Sequence, residues 1–382
     1  MRIGLGMTVL ARGLRSGEID GIATCTRELA LSLRRHPGLE LVPVLFGGPP
    51  APDRLPGNAA PVHLPRFATA AALSGAFTWP MPGARRLQQR VDILHATDHL
   101  TPVLSRIPLV ATVMDAVPLS HPHWVASQRL RALKAWLWKR TTRRADHLIT
   151  ISHFSKAQIA EHFNIPEQRI SVIPPGLPAE AATPMDADQC RQHCARLRLP
   201  RDFFLFVGTL QPRKNLKRLL QAHRQLPVDL QRACPLVVVG RAGWGCDEEV
   251  AALQAAQRQG TVRWLRYLPG PQLQALMHTA QALLFPSLYE GFGLPVIEAF
   301  AAGLPVITSN TTALPEVAGD AALLVDPTDV AAMAAAMQQL LEDGALRQEL
   351  TRRGRERLHH FDPSHAAART IALYRELTGS PS

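Results

Sequence analysis

Two carboxylates, Glu290 and Glu298, bracket a turn that carries Gly291 and Gly293. The turn follows the apolar run Ala282-Leu283-Leu284-Phe285, which reads as a strand, and it leads into a helix whose predicted start is Pro295, a residue suited to a first helical turn. Glycines at this place let backbone approach a ligand closely, and the unbonded N–H groups of a helix start, at the positive end of its dipole, favour an anion such as phosphate. On one continuous helix the two glutamates would stand roughly 80° apart. With Glu290 in the turn and Glu298 in the helix, both can face one ligand.

A second stretch, Gly208-Thr209-Leu210-Gln211-Pro212-Arg213-Lys214-Asn215, also follows a strand-like run and precedes a helix. A guanidinium beside an ammonium suits a diphosphate, the first as a planar fork and the second as a point charge. A solvated Arg-Lys pair is the plain alternative. The position after another strand of the same sheet favours the site. Gly240-Arg241-Ala242-Gly243-Trp244-Gly245 is a third glycine-bearing turn after a strand, and alone a weak signal.

The elements that must position these residues alternate strand and helix along the whole chain, the pattern of doubly wound α/β domains. At 382 residues there is room for two. Strands are expected at Arg2–Leu5, Leu39–Phe46, Val91–His95, Leu109–Val113, His147–Ile151 and Arg169–Ile173. A second set follows at Phe203–Val207, Leu236–Val239, Val262–Leu265, Ala282–Phe285, Pro305–Thr308 and Ala322–Val325. Pro174-Pro175-Gly176-Leu177-Pro178 marks the boundary, since prolines at this density stop helix and sheet. The expected domains are 1–178 and 179–362, with a last helix from Pro363 to about residue 378 returning to the first. Gly4 and Gly6 lack the third glycine of a dinucleotide fingerprint, and no phosphate-binding P-loop occurs.

In the first half, Asp20 is placed to cap a helix that runs to about Arg35, with Gly21 opening its start to a substrate. His95, His99 and Asp115 lie at or beyond strand ends, where open α/β sheets bind ligands, and a loop hydrogen bond or helix cap is the competing reading for each. The Pro-, Gly- and Ala-rich stretch 47–82 reads as irregular surface. Residues 125–145 read as a basic helix which, with Trp124, Trp136 and Trp138, suits either an anionic membrane face or an ordinary amphipathic packing.

The formal net charge is +11, and residues 1–200 carry 24 Lys+Arg against 14 Asp+Glu, so the basic surplus belongs to the first half. Nucleic acid, an anionic membrane or an acidic substrate all fit such a surplus, but no nucleic-acid-binding motif is present and nucleic acid is not expected as a partner. Five irregularly spaced cysteines make no disulfide framework. Cys190 and Cys194 could be pictured as metal ligands, though without a second pair a helix surface is the simpler reading and no metal is expected. With no signal-peptide core and no membrane-length apolar run, a cytoplasmic protein is expected, extended by peripheral attachment to the inner membrane face.

Over essentially its whole length the chain resembles the GT-B-fold retaining glycosyltransferases of family 4, most strongly over residues 203–327. The resemblance rests on the Glu-x7-Glu spacing of Glu290 and Glu298 within Pro286-Ser287-Leu288-Tyr289-Glu290-Gly291-Phe292-Gly293-Leu294-Pro295. It is reinforced by the Gly208–Asn215 stretch, by Thr308-Ser309-Asn310, and by Leu314-Pro315-Glu316-Val317-Ala318-Gly319. It implies two Rossmann-like doubly wound domains facing a cleft, with a nucleotide sugar held mainly by the second. Glu298 would hold the ribose and Glu290 the donor sugar. Backbone N–H groups of Phe292, Gly293 and Leu294 would meet the diphosphate and sugar. Arg213 and Lys214 would neutralise the departing diphosphate without a metal or other cofactor, Tyr267 and Leu268 would line the base, Gly21 and Thr209 would complete the donor side, and Asp115, the matching acidic residue of the first half, would join Glu290, Arg213 and Lys214 as a catalytic group. The chain departs from the family at Ala23, at Met114 and at Thr209, where glycine, histidine and arginine are frequent.

The resemblance is closest to bacterial mannosyltransferases of surface-polysaccharide assembly. It implies GDP-mannose as donor and a saccharide on a polyprenyl-diphosphate lipid as acceptor. Another donor (UDP-glucose, UDP-N-acetylglucosamine or GDP-rhamnose), a GT-B epimerase or phosphorylase, and a catalytically silent GT-B scaffold are the alternatives.

Overall fold

A computed structural model describes residues 1–17, 19–47, 54–67, 82–98, 101–124 and 131–379. The chain divides into two compact units. The first comprises Met1–Ser120, Ser127–Pro178 and Phe361–Ser382, and the second His121–Ala126 and Ala179–His360. The short turn Pro122–Trp124 thus groups with the second unit although it lies in the first half of the sequence.

In the first unit, among the described residues, the strands are β1 (Arg2–Gly6), β2 (Glu40–Phe46), β3 (Val62–Leu64), β4 (Ile93–Ala96), β5 (Leu109–Thr112), β6 (His147–Thr150) and β7 (Ile170–Val172). They pair in parallel in the order β3-β2-β1-β4-β5-β6-β7. Period-two side-chain alternation gives the sheet two cores. Val42, Val44 and Phe46 enter one, and Leu41 and Leu45 enter the other beside Ile3, Leu5 and Tyr374. Tyr374 comes from the helix Pro363–Thr378, which is capped by Asp362 and packs on the helix Gly21–Arg34.

The second unit is built from β8 (Phe204–Val207), β9 (Leu236–Val239), β10 (Val262–Leu265), β11 (Ala282–Phe285), β12 (Val306–Ser309) and β13 (Leu323–Val325). These too are parallel, in the order β10-β9-β8-β11-β12-β13. The runs Phe-Leu-Phe-Val and Leu-Val-Val-Val are apolar at every position because helices cover both faces of a parallel sheet. Phe204, Phe206, Leu236, Val238 and Leu284 fill one of those interfaces.

Several expectations need correcting. The stretch read as irregular contains β3, whose Val62 pairs with Val44 of β2; three residues flanked by Pro61 and Pro65 are too short to show a period. The helix after the Glu290 turn starts at Leu294, so Pro295 is its second residue and Gly293 its N-cap. Cys190 and Cys194 do not lie on a helix surface: they are buried in the seam between the helices Ala187–Arg196 and Gly270–Thr279, and burial pushes both thiols up. No cluster of His, Cys, Asp and Glu suited to a metal occurs among the described residues. The basic helix is described as Arg131–Thr142; Trp136 is exposed, whereas Trp138 packs edge-on against Phe163 at 4.7 Å. Its expected start, residues 125–130, lies outside the described residues, as does His99. No described helix is long and apolar enough to cross a membrane.

Candidate functional site

Open parallel sheets bind ligands beyond the carboxyl ends of their strands, where the strand order reverses direction. In the second sheet that point lies between β8 and β11. The turns leaving these two strands carry Gly208–Lys214 and Pro286–Gly293, so topology brings Arg213, Lys214 and Glu290 together. Lys214 Nζ lies 2.5 Å from one Glu290 carboxylate oxygen and Arg213 Nη1 3.0 Å from the other. Glu290 and Lys214 are nine-tenths buried.

Backbone contacts lock the two turns in register. Arg213 Nη1 also donates to the Tyr289 carbonyl, and the Leu288 N–H donates to the Arg213 carbonyl at 2.7 Å. The Asn215 side chain donates to the Pro286 and Pro327 carbonyls from a left-handed backbone with φ of 63°. Asn215 stands in the quoted Arg-Lys-Asn run, but the residue type alone does not reveal this tie.

Burial alone would raise the Glu290 carboxyl, but Lys214 and then Arg213 outweigh it and hold it down at about 2. Glu290 is therefore ionised at neutral pH, and with the two basic side chains the triad carries one formal net positive charge. The Lys214 ammonium also sits 4.6 Å over the Phe285 ring, a favourable place for a cation. Beside it, Gly293 has φ of 126°, and a Cβ there would come 2.8 Å from Leu314 Cδ2. Glycine is required by conformation and by space, and the main-chain N–H groups of Phe292, Gly293 and Leu294 stand at the start of the helix Leu294–Ala301.

Glu298 lies within that helix, half-buried, and its carboxyl is raised to about 7 by burial and, secondarily, by the Glu180 charge. Thr209 is exposed on the β8 turn. Tyr267 and Leu268 follow β10; Leu268 is buried, while the Tyr267 ring is exposed with the Arg241 guanidinium 4.4 Å above it. A neighbour that the sequence does not announce is the Pro122–Trp124 turn. His121 stacks on Trp124 at 4.3 Å, and both rings meet Tyr289, the residue before Glu290.

The remaining candidates belong to the first unit. Gly21 is exposed at the start of its helix, where the Asp20 side chain accepts from the Ala23 N–H at 2.8 Å. Ala23 itself is fully buried. Asp115 accepts from the Val117 N–H at 3.0 Å, a local cap on the short helix Val117–Ser120. Met114 lines a cavity of about 60 Å³ together with Cys25, Thr26, Thr97 and Thr112.

His95 borders that cavity, but both of its ring nitrogens are taken by protein partners. It is a core residue of β4, wholly buried, with Nδ1 2.6 Å from the Tyr374 hydroxyl and Nε2 2.7 Å from Thr112 Oγ1. Burial lowers its pKa to about 3, so it stays neutral. The sequence could not show this because its partner Tyr374 comes from the last helix.

The family described as "Glycosyltransferase Family 4" matches residues 19–181, and "Glycosyl transferases group 1" matches residues 195–357. Among curated relatives, O-antigen chain mannosyltransferase B of Escherichia coli is 34% identical over 269 residues, 70% of this chain and 70% of that protein. Glycogen synthase of Mycobacterium tuberculosis is 33% identical over 300 residues, 75% of this chain and 69% of that protein. Among solved structures, Anabaena Alr3699/HepE in complex with UDP and glucose superposes with a TM-score of 0.75 at 18% identity, over 99% of this chain and 100% of that one.

Proposed function

The chain belongs to glycosyltransferase family 4, with two Rossmann-like domains of the GT-B class, and we propose that it transfers mannose from GDP-mannose to a lipid-linked saccharide during bacterial surface-polysaccharide synthesis. The observation that carries this reading is the buried Arg213–Lys214–Glu290 triad at the reversal point of the second sheet. Its single net positive charge and the helix start at Gly293 together form an anion site. Breaking the bond between the anomeric carbon and the diphosphate leaves negative charge on the departing oxygen. Cationic groups already fixed where that charge appears lower the barrier without having to reorganise. In this reading Arg213 and Lys214 do so with no metal ion, and the Phe292, Gly293 and Leu294 N–H groups share the load. Glu290, ionised throughout the working range, accepts from donor-sugar hydroxyls, while Glu298 accepts from the ribose. The sugar leaves and arrives on the same face, so the anomeric configuration is retained, with the departing phosphate assisting deprotonation of the acceptor.

Mannose is supported by the Escherichia coli relative, whose printed name is a mannosyltransferase. A UDP-sugar is the second reading, supported by the glycogen synthase relative and the UDP-bound neighbour. A membrane-bound acceptor is supported by the helix Arg131–Thr142, on which Leu133 and Trp136 are exposed and Arg140 lies 5.2 Å from the Trp136 ring. The test is nucleoside diphosphate release across a panel of GDP- and UDP-sugars with a polyprenyl-diphosphate saccharide, with and without EDTA, and assignment of the product anomer by NMR. GDP-mannose is expected to react fastest, insensitive to EDTA, giving the α-linkage. Faster turnover with a UDP-sugar, a β-product or loss of activity in EDTA would each overturn the corresponding part.

A further inference from the structure

Thr312 has φ of 62°. A β-branched residue in the left-handed region is a true outlier, because its Cβ substituents crowd the backbone; such a conformation is strained and persists only where the surroundings impose it. The strained residue lies against the triad. Its Oγ1 accepts the Glu290 N–H at 3.3 Å, and the next residue, Ala313, donates its own N–H to the Glu290 carbonyl at 3.4 Å. The Glu290 carboxylate is held by Arg213 and Lys214, and the Glu290 main chain is thus held on both sides by Thr312–Ala313. Ala313 is fully buried and is the N-cap of the helix Leu314–Ala318, whose Leu314 meets Gly293. The fold therefore fixes the strained turn from below.

We propose that Thr312 is a positioning residue for the transfer reaction: its left-handed backbone delivers a hydroxyl to the Glu290 amide and so sets where the Glu290 carboxylate meets the donor sugar. The inference rests on the reading of Glu290 as a donor-sugar contact. Glycine would adopt this conformation without strain. The hydroxyl is what glycine lacks, and Glu290 is what the hydroxyl touches.

Four variants test this. Thr312→Gly removes strain and hydroxyl together, so its Tm is expected to equal or exceed that of the parent while kcat falls at least about ten-fold, the order expected from sub-ångström misplacement of a reacting group. Thr312→Val keeps the branched shape but not the hydroxyl and should lose kcat similarly, and Thr312→Ser should restore most of it. On a Glu290→Gln background, whose own activity is expected to be strongly reduced, Thr312→Val should add little, because the two act through one group. Parent-like kcat in Thr312→Gly and Thr312→Val, with Glu290→Gln inactive, would overturn the positioning role alone. The same holds if loss of kcat simply tracks loss of Tm across the series. Full activity in Glu290→Gln would overturn both this inference and the reading beneath it.

Discussion

The two sheets share one design: all-parallel strands with a single reversal of order, and polar residues gathered just past the strand ends that flank it. They differ in what those polar residues do. In the second unit Lys214 and Arg213 both engage the ionised Glu290 carboxylate, and Arg213 also holds Gln211 and the Tyr289 carbonyl. In the first, the corresponding groups close the backbone of their own unit. Thr97 donates to the Gly6 carbonyl at 2.5 Å, Asp98 accepts from the Thr8 N–H at 2.9 Å, and His95 is sealed between Thr112 and Tyr374. Equal topology therefore does not confer equal chemistry. The triad gathers two basic groups on one carboxylate, whereas the first unit's cluster directs its polar groups to its own main chain and core.

Four variants would break or sharpen that contrast. The largest effect is expected for Lys214→Ala, which removes a charge from where the leaving group develops its own: kcat should fall about a hundred- to a thousand-fold, with a folded protein. Turnover at the parent rate would remove the triad from the chemistry.

On the other side, Tyr374→Phe should lower stability by about 1–3 kcal/mol by leaving a buried ring nitrogen unbonded, with transfer per folded molecule unchanged. Because burial depresses the His95 pKa from 6.5 to about 3, the unfolded chain binds the extra proton between those values. The His95 contribution to stability is complete above pH about 6.5 and is lost as pH falls toward 3. His95→Gln should flatten that slope in thermal melts, and an unaltered slope would show the imidazole to be irrelevant to it.

The smallest effect concerns Glu298, whose carboxyl is raised from 4.5 to about 7. Here the native state holds the extra proton, so stability declines as pH rises from 4.5 to 7. Glu298→Gln should raise Tm modestly at pH 8 and leave it unchanged at pH 4.5. Donor affinity measured by calorimetry should weaken as pH falls through about 7 in the parent, as the acceptor carboxylate is protonated, and lose that inflection in the variant. A pH-independent donor affinity in the parent would remove Glu298 from the ribose.

Much of this was legible before any coordinates. Twelve apolar runs such as Leu236–Val239 and Ala282–Phe285 coincide with strands because parallel sheets covered on both faces demand uninterrupted apolar sequence, and the glycine turns after β8 and β11 stand at the reversal. What stayed hidden depends on partners remote in sequence. His95 lies 279 residues from Tyr374, and nothing local distinguishes a core imidazole from a catalytic one. Cys190 and Cys194 read as surface because the helix Gly270–Thr279 that covers them comes much later in the chain. Thr312 escaped because a positive φ in a threonine leaves no trace in residue type.

The helix Pro363–Thr378 belongs to the unit that begins at Met1. Synthesis proceeds from the N-terminus and domains generally fold as units, so the strands of the first sheet are made well before Ile371 and Tyr374, which complete one of its cores. His95 therefore gains its Tyr374 partner only after every strand of the second sheet has been made.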